Sequence, residues 1–152
     1  MDVLRPGPLG VAQRLWWLSI GVVTMQGFLN GVLNSAGLMR TSTGGVVDVG
    51  FSLAVLFFLV NVGTRAFIPF WGGSINREFL MLVISGVAAF LAAALAVGGA
   101  MGIAPQGTVD PGMIIVLGAV PTAAMYLFFT LSVGTFLRLF FVAIIPAYRR
   151  RD

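Results

Sequence analysis

Gln26, Asn30 and Asn34 recur every four residues within an apolar stretch, and they are the best candidates for specific chemistry in this chain. On a helix this spacing draws one stripe of amides. Gly27 and Gly31 lie beside the stripe as a GxxxG motif. Amides facing lipid find no hydrogen-bond partner, so the stripe is expected to face protein or a water-filled path. Two readings follow. The first is helix-packing glue, with hydrogen bonds between helices beside a close glycine contact. The second is the lining of a pore or ligand path. Packing is preferred, because glycine and amides commonly serve it in membrane helices.

Arginines are the second candidate group. Arg65 follows Asn61 by one helical turn, and Arg138 is flanked by apolar residues on both sides. Each is read either as a snorkelling topology anchor, the preferred reading for Arg65, or as a contact for lipid phosphate or a partner, with Glu78 as an alternative partner for Arg65. No acidic residue stands out as a match for Arg138. Arg149, Arg150 and Arg151 are expected to meet anionic headgroups. Arg77 and Glu78, adjacent in sequence, are expected to neutralise each other partly.

What is missing restricts the chemistry further. The chain has no cysteine and no histidine, and its five acidic residues avoid the centres of the apolar stretches. Disulfides, thiolate metal sites and iron–sulfur clusters are excluded. Histidine-based catalysis has no residue to use. Carboxylate proton coupling inside the membrane is disfavoured. No phosphate-binding loop or dinucleotide fingerprint occurs. The reading is therefore not an enzyme, and it needs no cofactor or metal.

These residues must be carried by membrane helices. Of 152 residues, 59% are hydrophobic and 9% charged. A soluble domain carries about 25% charged residues. Four apolar stretches predict transmembrane helices at about 15–38, 46–64, 79–101 and 113–137. They predict a single all-α domain, an antiparallel up-down four-helix bundle. Residues 1–14 read as an irregular cytoplasmic arm. The fourth stretch stays apolar through Arg138 to residue 145, which predicts a long helix kinked at Pro121. On helix 3, Ala88, Ala92 and Ala96 form a small-residue face, as do Ala89 and Ala93. Ser74 or Asn76 is expected to cap it.

Orientation follows from charge. Nine arginines supply all the positive side chains, and eight fall before helix 1, between helices 2 and 3, or after helix 4. Arg40 is the exception. Positive loops stay cytoplasmic, so both termini are expected there. Trp16, Trp17 and Trp71 fall at the same predicted interface. The net charge of +4 thus reads as topology and lipid contact, not nucleic-acid binding. The expected function is a non-catalytic integral membrane subunit, packing with other subunits or copies of itself. The alternative is an oligomeric pore, holin-like or for small solutes, lined by the helix 1 stripe.

Overall fold

In a computed structural model, residues 8–35, 44–65, 67–68, 73–103 and 110–144 are described. The described residues form four helical runs: α1 (Pro8–Ser35), α2 (Gly44–Arg65), α3 (Ile75–Ile103) and α4 (Pro111–Ile144). Three of them, over Gly10–Ser35, Ile75–Gly99 and Pro111–Ile144, are long and apolar enough to cross a membrane. The apolar stretch found in α2, Leu53–Arg65, is shorter. The chain is a helical membrane protein by this measure.

Contact pairs fix the directions. Asn61 of α2 meets Ser19 and Trp16 of α1. Gly27 and Gly31 of α1 lie against Ala123 and Ala119 of α4, in reversed order. Gly86 and Gly99 of α3 lie against Ser132 and Leu117 of α4, again reversed. Helices α1 and α3 therefore run one way, and α2 and α4 the other. The lateral order is α2, α1, α4, α3, with α4 touching all the others and α2 scarcely touching α3. The bundle is thus open along one side, between α2 and α3.

The interior reverses the pattern of a soluble protein. Along α3 the buried residues are Glu78, Ser85, Ala92 and Gly99, a strict seven-residue interval. Along α4 they include Ala119, Ala123, Thr130, Gly134 and Arg138. Among the described residues Trp16, at 3% exposure, is the only aromatic side chain in the core, beside Val23, Val142 and several alanines. Leu80, Val87, Phe90, Leu91 and Leu95 of α3 point outward. With hydrocarbon as solvent, large apolar groups gain nothing by leaving it. Small residues let backbones approach, and polar groups seek each other. Of the alanines expected to pack α3, Ala92 is buried, while Ala88 and Ala96 are only partly so. Glu78, Ser85 and Gly99 complete the packed line.

Helix bounds differ from the sequence reading in instructive ways. α1 begins at Pro8, so half of the expected irregular arm is helical. Proline suits the first helical position, where its missing N–H costs nothing. α3 begins at Ile75, and the Glu78 N–H donates to the Ser74 carbonyl, which leaves Ser74 in the cap position and Asn76 inside the helix. Trp17 faces outward, whereas Trp16 turns into the core; Trp71 lies outside the described residues.

α4 continues for 34 residues to Ile144. Asp110 caps its start by accepting from the Gly112 N–H. Ile114–Ala119 is π-helical, and the Val120 N–H donates five residues back to Ile115. The cause is Pro121, which has no N–H to offer the Leu117 carbonyl. Thr122 Oγ1 donates to the Gly118 carbonyl at 2.7 Å, satisfying one acceptor in the widened turn. The Leu117 carbonyl lies against Gly99, where a side chain's Cβ would sit 2.0 Å from its oxygen.

Candidate functional site

Two polar clusters lie inside the bundle, separated along its axis. The first is built on the α1 stripe. Gln26 Nε2 donates to Asn30 Oδ1 at 3.0 Å, and Asn30 Nδ2 donates to the Tyr126 hydroxyl at 3.0 Å. The donors and acceptors thus form a short chain that ends on α4. Gly27 allows it, because a Cβ there would lie 2.8 Å from the Tyr126 side chain. Gly31 serves the next turn, where a Cβ would come within 2.6 Å of the Ala119 Cα. Asn34 is exposed and stands apart from this chain. The structure brings Gln26, Gly27, Asn30 and Gly31 together on α4, and leaves Asn34 outside.

The second cluster lies at the end of the bundle where α2 and α3 connect. Ser19 Oγ donates to the Trp16 carbonyl at 2.7 Å. Asn61 Nδ2 donates to Ser19 Oγ at 2.9 Å and to the Trp16 carbonyl at 3.4 Å. One turn on, Arg65 pairs with Glu78 through Nη2 and Oε1. Arg65 Nη1 also donates to the Ile68 carbonyl at 3.2 Å, fixing the chain as it leaves α2. Gly134 of α4 packs against Asn61 and Arg65, and Arg138 is buried one turn beyond it. All four helices contribute.

Burial changes the reading of these charges. Arg65 is 2% exposed and Glu78 is fully buried. Arg65 is therefore an internal partner of Glu78. Arg77 is exposed, so the expected pairing of adjacent Arg77 and Glu78 gives way to one across helices. Helix geometry explains it: neighbouring residues point about 100° apart and cannot share a face. Removing one partner of such a buried pair costs about 3–5 kcal/mol, because the other charge stays behind. Arg138 is likewise drawn inside. Arg149, Arg150 and Arg151 lie outside the described residues.

The hydrogen bonds and the ion pair of the two clusters link helices to one another. Among the described residues no group of three His, Cys, Asp or Glu side chains could hold a metal ion. Hydroxyls are engaged locally: Thr130 Oγ1 donates to the Tyr126 carbonyl, and Thr64 Oγ1 to those of Val60 and Asn61. Sequence reasoning did not single out Ser19, nor Tyr126 as the end of the amide chain. Ser19 has a signal in hindsight, since it lies seven residues before Gln26 on the same side of α1. Comparison with protein-family models, with curated proteins and with solved structures returns no match for this chain.

Proposed function

We propose that this chain is a non-catalytic integral membrane subunit that packs into a larger membrane assembly or with copies of itself. It crosses the bilayer four times with both termini cytoplasmic, and Arg149, Arg150 and Arg151 meet anionic headgroups. The observation that carries this reading is the chain of hydrogen bonds from Gln26 through Asn30 to Tyr126. Those amides serve the bundle's own packing, which removes the main support for a water-filled lining. The outward face of α3 adds to it, with Leu80, Val87, Phe90, Leu91 and Leu95 available to lipid or to another helix.

An oligomeric pore is the second reading, favoured by the exposed Asn34 alone. Ion flux separates the two. The purified chain in liposomes should leave potassium efflux at the level of empty vesicles. Efflux that depends on the chain, and that Asn34→Leu abolishes, would establish the pore instead.

A further inference from the structure

The open side of the bundle forms a cleft of about 660 Å³ between α2 and α3, floored by α4. Ala54 and Phe58 form one wall, Gly86, Ala89 and Ala93 the other, and Phe129 lies in the floor, stacked on Phe58 at 6.0 Å. Small residues on α3 create this space. Phe90 stands at the rim, 74% exposed. Of the three hydroxyl residues that line the cleft, Tyr126 accepts from Asn30, Thr130 donates to the Tyr126 carbonyl, and Ser132 lies beside Gly86. An occupant therefore meets an uncharged, apolar wall.

Position and size select the occupant. Gly86 to Ala93 straddles the middle of α3, and the lining of α4 runs from Met125 to Val133. At 1.5 Å per residue the cleft is about 12 Å long. It lies at the depth of the bilayer centre, about 15 Å from either edge of the hydrocarbon. A transmembrane helix is about 10–12 Å wide with its side chains and would need contact along most of its length. A stable protein interface buries roughly 1,200–2,000 Å² in total, which so short a cleft does not supply. Hydrocarbon chains end at this depth. At the Arg65–Glu78 end the ion pair links α2 to α3, so the opening is lateral, toward lipid.

We infer that the cleft holds the terminal part of one acyl chain of a membrane phospholipid. This goes beyond the assembly reading and stands or falls separately from it.

A photoreactive phospholipid tests it. The full-length chain is reconstituted in phosphatidylcholine vesicles containing phosphatidylcholine with a diazirine near the end of one acyl chain. After irradiation, labelled peptides are mapped. Labels should concentrate on Phe58 and Phe129, several-fold above Val87 and Leu91, which face outward on α3 at the same depth. Ala93→Phe should lower cleft labelling several-fold, and Leu95→Phe should leave it unchanged. If Ala93→Phe does not fold, the distribution on the unaltered chain decides alone. Uniform labelling around the bundle would overturn the inference, as would a cross-link placing a second copy of the chain in the cleft.

Discussion

Asn30 sits between two partners, accepting from Gln26 and donating to Tyr126. In lipid the loss of such a bond is moderated, because the freed groups find other partners. Asn30→Leu and Tyr126→Phe should each destabilise the bundle, with a coupling of about 0.6–1.7 kcal/mol between them. A double-mutant cycle on unfolding in detergent measures it, and zero coupling would show that the bond contributes nothing. Spacing showed that Gln26 and Asn30 share one side of α1, but the expectation that the whole stripe faces protein fails at Asn34, which is exposed. The partner of Asn30 was not legible, because nothing local marks which of several hydroxyls on α4 comes within reach. Glu78 was harder still. The sequence offered it two arginines, the adjacent Arg77 and, as an alternative to lipid phosphate, Arg65, and only the approach of α2 decides for Arg65.

At the scale of elements, glycine spacing decides how closely α3 and α4 approach. Gly98 and Gly99 are neighbours with opposite surroundings. A Cβ at Gly98 meets nothing within 4 Å, whereas one at Gly99 would meet the Leu117 carbonyl oxygen at 2.0 Å. Gly98→Ala should be neutral or stabilising, by up to about 1 kcal/mol through helix propensity. Gly99→Ala should destabilise by about 1–3 kcal/mol, as overpacking does. Thermal unfolding of both variants in one detergent checks the contrast; equal melting temperatures would show that α3 does not rest on the π-helical turn. The presence and type of the helices were readable from long apolar runs. The π-helical turn was not, although Pro121 announced a disturbance there. A proline removes one N–H, but whether the helix kinks, breaks or widens depends on what its neighbours can accept. Here Thr122 supplies a donor and Gly99 supplies room.

Across the whole molecule, small and polar residues face inward and large apolar ones outward, the arrangement expected where lipid is the solvent. Hydropathy made this environment plain, but it does not say which helices touch. The gap between α2 and α3 follows from α4 packing against every other helix, a consequence of side-chain fit along its whole length. Orientation rests on the arginines. The chain contains no cysteine, so single cysteines report sidedness cleanly. Asn76→Cys and Asp110→Cys, exposed at opposite ends of the bundle, should react with a membrane-impermeant maleimide from opposite sides, Asn76→Cys from the cytoplasm. Reaction of both from one side would contradict the four-span arrangement. Assembly is the central claim, and native mass measurement of the chain extracted in a mild detergent tests it most directly. The result expected is a single species of fixed stoichiometry, heavier than one 16.1 kDa chain, holding either further copies or constant amounts of other membrane proteins. A lone chain carrying only lipid and detergent, at every concentration tried, would contradict it.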